Sequence, residues 1–292
     1  MHDDLRVVFE SRNRQSCRDR ALVLAASKIP HQMIDDGVTA ALVVPAEFSV
    51  RAVQELQLYD DENPPVRPQP RRKIDYQDAV PGVVGYVVAI SAIAWLAAAG
   101  AFGYDWFDAG RVDGALIRSG EWWRTITALT LHSGVKHFVG NVVFGVLFGI
   151  FAGRLLGSGV AWLAIVVAAA VGNAANTLLL ESAHRSIGAS TAVFAALGLV
   201  AGFVWHGRFM AQDRWSYRYG PVVGGLALLM FTGTGGPNTD IGAHLFGFVS
   251  GFLTGMLLVA LGPVPTDRRA QRVAGGIAIA LVVIAWIVAL RA

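Results

Sequence analysis

The amino-acid sequence predicts an all-α polytopic membrane protein with a small α/β domain at its N-terminus. Of the 292 residues, 54% are hydrophobic and 15% are charged, and the mean hydropathy is +0.50. Soluble globular chains are less apolar and more charged. The charges are also unevenly distributed, because residues 1–78 carry 24 of the Asp, Glu, Lys and Arg residues. A small polar region therefore precedes a large apolar one.

Residues 1–60 are predicted to form the α/β domain, on the cytoplasmic side. Alternating apolar residues predict strands, spacings of three and four predict helices, and Asp36-Gly37 predicts a hairpin turn. The expected order of strand, helix, strand, strand and helix corresponds to Leu5–Ser11, Gln15–Ser27, His31–Ile34, Ala40–Val44 and Ala46–Tyr59. The charged residues of this domain are spaced as on a solvated face. The domain could therefore dock a cytoplasmic partner or be a plain accessory fold, and the sequence leaves both roles open.

Composition excludes several other classes of protein. The single cysteine, Cys17, rules out an intrachain disulfide framework and a cysteine-rich zinc cluster. The arginines lie beside apolar segments and form no aromatic-interleaved basic face, so no nucleic-acid partner is expected. Residues 61–78 are charged and proline-rich, which is typical of an extended linker.

Seven membrane spans are predicted, six in a core at 79–262 and one more at 263–292. Several are shorter than the about 20 residues that a simple span needs, which indicates tilted helices or helices that end inside the bilayer. An N-terminus in the cytoplasm puts ten Lys and Arg residues inside and six outside, as the positive-inside rule requires. The predicted spans are Pro81–Gly103, His137–Phe151, Gly157–Leu180, Ala189–Trp205, Pro221–Phe231, Ile241–Leu261 and Val273–Leu290.

The loop at 104–130 contains four residues, Trp106, Phe107, Trp122 and Trp123, that are expected to lie at the headgroup level. No Asp, Glu, Lys or Arg falls within the apolar cores of the spans. Ion-coupled transporters usually need such an ionisable relay, so the sequence argues against a pump or carrier.

Three groups of polar and small residues open predicted spans on the outer side. In the first, His137 and Asn141 share one face of a helix and His132 precedes them; the second is Gly188-Ala189-Ser190. The third is Gly242-Ala243-His244, followed by Gly247 and Gly251. Each group alone has a plain explanation in helix packing or interfacial hydrogen bonding. Three histidines could also bind zinc, but His-Glu-x-x-His is absent, and neither a metal nor another cofactor is expected.

Taken together, the three groups predict a hydrolytic site. All lie at one level of the membrane under this topology, and glycines at 247 and 251 would let the sixth span approach the fourth near Gly198. Ser190 and His244 would then form a nucleophile and base, without a third carboxylate. His137 and Asn141 would donate hydrogen bonds to the oxyanion.

These residues resemble the rhomboid intramembrane serine proteases over Trp122 to Leu261. The resemblance rests on Trp123-Arg124, His132, His137-x-x-x-Asn141, Gly188-x-Ser190 and Ala243-His244-x-x-Gly247-x-x-x-Gly251. It implies a rhomboid-like six-helix core with Ser190 as nucleophile, His244 as base, and His137 and Asn141 at the oxyanion. Two positions depart from the common pattern: Thr191 stands where Gly is frequent, and Phe194, where Tyr is common, can stack on the histidine without offering a hydroxyl.

The resemblance implies an endopeptidase in the cell membrane that cleaves transmembrane proteins within or near their spans, with the active site open to the extracytoplasmic side. Its partners would be such substrates and the lipid bilayer. One alternative is a rhomboid-like pseudoprotease that binds membrane helices without cutting them. Another is a channel or transporter that uses the polar cavity as a pathway.

Overall fold

The structure is a computed structural model that describes residues 4–64, 75–179, 184–207, 219–220, 222–225, 227 and 240–292. The chain divides into two compact units, Met1–Pro70 and Arg71–Ala292. The first is a mixed α/β unit and the second is helical, as the composition predicts.

The first unit has the predicted order of elements. A 3₁₀ turn at Ala46–Phe48 precedes its second helix. The three strands form one antiparallel sheet in the order β1-β3-β2, with a bulge in β1 between Val7 and Phe9. The elements are β1 (Leu5–Ser11), α1 (Arg14–Ala26), β2 (Gln32–Asp35), β3 (Ala40–Pro45) and α2 (Ser49–Glu62).

Local side chains fix the ends of these elements. Asn13 caps α1 by accepting a hydrogen bond from the Gln15 amide. Asp36 accepts from the amides of Val38 and Thr39, which closes the predicted hairpin turn, and Gly37 takes a left-handed φ of 89°. The two helices cover one face of the sheet around a small apolar core of Leu24, Ile29, Leu42, Val44, Ala52 and Leu56.

The second unit contains six helices long and apolar enough to cross a membrane among the described residues. They are α3 (Val80–Ala98), α7 (Val135–Leu156), α8 (Ser158–Leu179), α9 (Ser190–Gly207), α10 (Ile241–Ala260) and α11 (Arg268–Ala289). Between α3 and α7 lie α4 (Trp106–Gly110), β4 (Val112–Asp113), α5 (Gly114–Arg118) and α6 (Arg124–Thr127); β5 (Arg185–Ser186) precedes α9. The predicted fifth span, Pro221–Phe231, falls largely outside the described residues, as does most of the linker.

The segment between α3 and α7 is held together by one buried arginine. The Arg124 guanidinium forms an ion pair of 2.6 Å with Glu121 and donates 2.6 Å to the carbonyl of Asp108. The Trp106 side chain is 4% exposed and its ring lies 4.9 Å from that of Trp286 in α11, so it packs inside the protein, while its headgroup-level position stays a prediction. The aromatic ring is buried because α11, distant in sequence, covers it.

Helices α9 and α10 are in backbone contact along their length. A Cβ added at Gly247 would lie 2.6 Å from the carbonyl oxygen of Thr191, and one at Gly251 would lie against the backbone of Ala195. From the other side, a Cβ at Gly198 would collide with the backbone of Phe248. Gly202 and Gly255 extend the same contact further along both helices. Close approach of this kind needs small residues on both surfaces.

Helix α11 packs on α8 through a glutamine and a glycine. The Gln271 amide oxygen accepts from the backbone N–H groups of Gly159 and Val160, at 2.8 and 3.2 Å, in the first turn of α8. Its amide nitrogen donates 2.9 Å to the carbonyl of Leu156, at the end of α7. These are groups that a helix leaves unpaired at its ends.

We expect Gly251→Val to destabilise the membrane unit, because the new side chain would have to displace the backbone of α9. Overpacking of this kind typically costs about 1–3 kcal/mol. The check is the thermal unfolding midpoint of the full chain in detergent. Gly276→Val is the matched control, since a Cβ at Gly276 in α11 meets no atom within 4 Å; equal midpoints for the two variants would contradict the prediction.

Candidate active site

Gly188 brings two of the predicted site residues to one place. Its φ of 136° lies in a region that side chains other than glycine rarely adopt. A Cβ there would lie 2.6 Å from the Cε1 atom of His137 and 3.5 Å from the hydroxyl oxygen of Ser190. Glycine is therefore required both by the backbone and by the His137 ring that packs against it. Ser190 follows two residues later as the first residue of α9, where its side chain is half-buried.

The chain ahead of Ser190 is tied down by backbone pairing. β4 and β5 form an antiparallel pair that matches Val112 with Ser186, and the carboxylate of Asp113 accepts 2.9 Å from the Arg185 guanidinium. The Gly188 amide also donates 2.9 Å to the carbonyl of Ala128. The segment that leads to Ser190 is thus attached to the ordered region between α3 and α7.

His244 lies in the first turn of α10 and is buried. Its ring is 4.6 Å from that of Phe194, with a tilt of 34°, which is the aromatic contact expected for Phe194. Phe194 is one helical turn beyond Ser190, and Gly247, three residues beyond His244, touches Thr191. Ser190 and His244 therefore belong to adjoining turns of two helices in contact. The Nδ1 atom of His244 has no hydrogen-bond partner among the described residues.

The remaining predicted residues cluster at the start of α7. The His132 ring lies 5.4 Å from that of His137, whose Nδ1 is 3.1 Å from the hydroxyl of Ser133. Asn141, one turn after His137, is buried, and its side-chain nitrogen has no partner in the described part of the chain. Its backbone carbonyl accepts 2.8 Å from the Tyr86 hydroxyl of α3. His137 and Asn141 thus present donors on the helix that adjoins Gly188.

A half-buried carboxylate, that of Asp240, was missed by the sequence reasoning. It caps α10 by accepting 2.9 Å from the Ala243 amide, and it also contacts His184 at 2.7 Å and the Asn176 amide at 3.1 Å. Burial favours the neutral carboxyl, but the hydrogen bonds and the nearby His184 outweigh it and hold the pKa of Asp240 below its ordinary value. Asp240 therefore joins the segment before Ser190 to the helix that carries His244.

The local sequence contains a signal for only half of this arrangement. An Asp directly before an apolar helix is a common N-cap pattern, which Asp240 fits. Nothing in the sequence relates it to His184 or Asn176. Within the described residues, no group of three or more His, Cys, Asp and Glu side chains is arranged to hold a metal ion.

A family model described as the rhomboid domain matches residues 119–261, which contain His132, His137, Asn141, Ser190, Asp240 and His244. This part of the chain is a rhomboid domain. Relatives named as rhomboid proteases agree with this assignment. The putative rhomboid protease YdcA from Bacillus subtilis is 27% identical to this chain over 183 residues, which cover 61% of this chain and 88% of the relative.

Two further relatives share a smaller part of their length with this rhomboid protein. The rhomboid protease GluP of Bacillus subtilis is 36% identical over 89 residues, 30% of this chain and 17% of the relative. Rhomboid-like protease 1 of Toxoplasma gondii is 32% identical over 146 residues, 49% of each chain. The chain thus spans about half or less of these two relatives. At the level of the family, the comparisons support a membrane-embedded peptidase.

The His132 ring allows a test by pH, since it precedes α7. Burial, with a contribution from nearby His137, lowers the pKa of His132 to about 4 from an ordinary value near 6.5. The unfolded chain therefore takes up a proton at His132 as the pH falls below 6.5, while the folded chain does not until about pH 4. Stability from this group is present above pH 6.5 and is lost between pH 6.5 and 4.

We expect His132→Phe to reduce the loss of stability between pH 6.5 and 4, because the ring is kept and the titration is removed. Unfolding midpoints at pH 7.5, 6 and 4.5 measure the effect. A slope in His132→Phe as steep as in the original chain would contradict this origin.

Proposed function

We propose that this rhomboid protein is an intramembrane serine endopeptidase with Ser190 as nucleophile and His244 as general base. The observation that carries the proposal is the meeting of three helix starts, in which Gly188 adjoins both His137 and Ser190 and the His244 ring packs at a tilt against Phe194. A hydroxyl and an imidazole on adjoining helices are the minimum that acyl transfer needs. Substrates would be transmembrane proteins, consistent with the protease names of the relatives.

The reaction would proceed in two displacements. The imidazole of His244 takes the proton of the Ser190 hydroxyl while the oxygen attacks the scissile carbonyl; the protonated ring then gives that proton to the leaving amine. Water, deprotonated by the same ring, hydrolyses the ester formed on Ser190 and restores both groups. A substrate segment must be unwound at the scissile bond, because a helix engages its carbonyls in internal hydrogen bonds.

His137 and Asn141 are proposed as the donors to the oxyanion. The Asn141 amide nitrogen is buried and without a partner in the described chain, so it has no hydrogen bond to break when negative charge develops on the substrate oxygen. Keeping a buried donor unpaired costs folding free energy. That cost is the reason to propose a catalytic role in place of a structural one.

The distribution of Lys and Arg favours a cytoplasmic N-terminus and a site that opens to the opposite face. In this orientation the starts of α7, α9 and α10 lie toward the extracytoplasmic surface. The N-terminal unit, residues 1–60, would then face cytoplasmic partners.

Ser190→Ala and His244→Ala are each expected to abolish cleavage of a model transmembrane substrate by the purified chain. Labelling by a serine-directed fluorophosphonate, followed by peptide mapping, should find Ser190 and should be lost in His244→Ala. Ser119→Ala is the control, because within the described part of the chain that exposed hydroxyl donates to the Leu116 carbonyl and contacts none of the proposed site residues. Undiminished cleavage in either variant, or an unlabelled Ser190 in folded protein, would contradict the proposal and favour a rhomboid-like protein that binds helices without cutting them.

Asn141→Ala is expected to lower kcat by roughly a hundredfold with little change in KM, as for loss of one oxyanion donor. Asn173→Ala is the matched control, since the Asn173 amide donates 2.9 Å to the Thr125 carbonyl. Loss of this hydrogen bond in Asn173→Ala should lower the unfolding midpoint and leave kcat close to that of the original chain. The opposite pattern, a structural defect in Asn141→Ala at normal kcat, would remove Asn141 from the oxyanion site.

A further inference from the structure

A long groove runs along the membrane unit between α3 and α11, and Ser190 is not among the residues that line it. Its volume is about 960 Å³, and its floor is formed by α8 through residues such as Trp162 and Ile165. Glycines on both walls, Gly85 and Gly276, leave it wide, because a Cβ at either would meet no atom within 4 Å. Ile279 on the α11 wall is 64% exposed, so the groove is open to its surroundings.

One end of the groove is basic. Arg268 and Arg272, one turn apart at the start of α11, line this end, and neither forms an ion pair within the described residues. The positive end of the helix dipole adds to their charge. The acidic side chain at the same end, Asp78, accepts from the Val80 amide at the start of α3. The groove end therefore keeps an excess of positive charge beside an apolar channel.

The dimensions favour a lipid over a protein helix. From Arg268 to Val283 the α11 wall is about 22 Å long at 1.5 Å per residue. An acyl chain reaches roughly half of the about 30 Å hydrocarbon core, so it fits within this length. A membrane helix of about 30 Å is longer than this wall.

We propose that this groove binds an anionic phospholipid, with the phosphate between Arg268 and Arg272 and an acyl chain between α3 and α11. Two arginines at the polar end and apolar side chains along the rest match the two parts of such a lipid. The inner wall includes Leu129 and Ala192, the latter two residues after Ser190. A bound acyl chain would thus contact the helix that carries Ser190, while the headgroup lies at the opposite end.

The test uses the full chain in non-ionic detergent and native mass spectrometry. Phosphatidylglycerol and phosphatidylcholine with the same acyl chains are added in turn. The chain is expected to retain phosphatidylglycerol in preference to phosphatidylcholine. Arg268→Gln and Arg272→Gln should each weaken the retention of phosphatidylglycerol about fivefold. Arg269→Gln is the matched control: it lies on the same turn but does not line the groove, and it should retain the lipid as the original chain does.

The apolar part is tested with Gly276→Phe, which would extend a ring into the open space of the groove, against Gly276→Ala. Gly276→Phe should lose phosphatidylglycerol and Gly276→Ala should keep it, with fluorophosphonate labelling of Ser190 as a separate readout of the active site. The proposal is overturned if both lipids are retained equally, if Arg269→Gln weakens retention as much as Arg268→Gln, or if Gly276→Phe binds normally. A lipid-free dimer of the chain would also overturn it and indicate a second copy in the groove.

Discussion

The contact on which the active-site arrangement depends is the backbone-to-backbone approach of α9 and α10. Ser190 and His244 are separated by more than fifty positions in sequence, and no covalent or ionic link joins their helices directly in the described structure. Gly247, Gly251 and Gly198 remove the side chains that would otherwise hold the two helix axes apart. The stacking of His244 on Phe194 follows from that approach, since both side chains project from adjoining turns.

Polar groups in the membrane unit fall into two classes: hydrogen-bonded groups, which stabilise the fold, and unpaired groups, which cost folding free energy. Some are fully paired and join helices: the Ser250 hydroxyl donates 2.7 Å to the Ala168 carbonyl of α8, and Arg124 satisfies backbone carbonyls of the preceding segment. Others, including the Asn141 amide nitrogen and Nδ1 of His244, are buried without partners in the described chain. In an apolar medium an unpaired donor is costly, so natural sequences retain it mainly where function requires it. The unpaired groups of Asn141 and His244 belong to helix starts that adjoin Ser190, whereas the unpaired indole nitrogen of Trp162 lies elsewhere, in α8.

Local patterns in the sequence were sufficient for the order of the elements and for the close approach of α9 and α10. Apolar alternation and the Asp36-Gly37 turn predicted the order of the first unit, and the spacing of Gly247 and Gly251 predicted a helix face free of side chains. The contacts that depend on tertiary structure were not predictable. The packing of Trp106 on Trp286 of α11 is one such contact, and the pairing of the helix-capping Asp240 with His184 is another. In both cases the decisive partner lies more than fifty residues away, where periodicity carries no information.

Gln271 gives the C-terminal helix a role beyond filling space. Its amide occupies the junction where α7 ends and α8 begins, and it pairs backbone groups of both helices that have no partner within their own segments. The last helix therefore stabilises an earlier junction, so a shortened protein that ends before residue 268 would leave these backbone groups without their glutamine partner. Trimming the C-terminus would thus weaken the connection between α7 and α8.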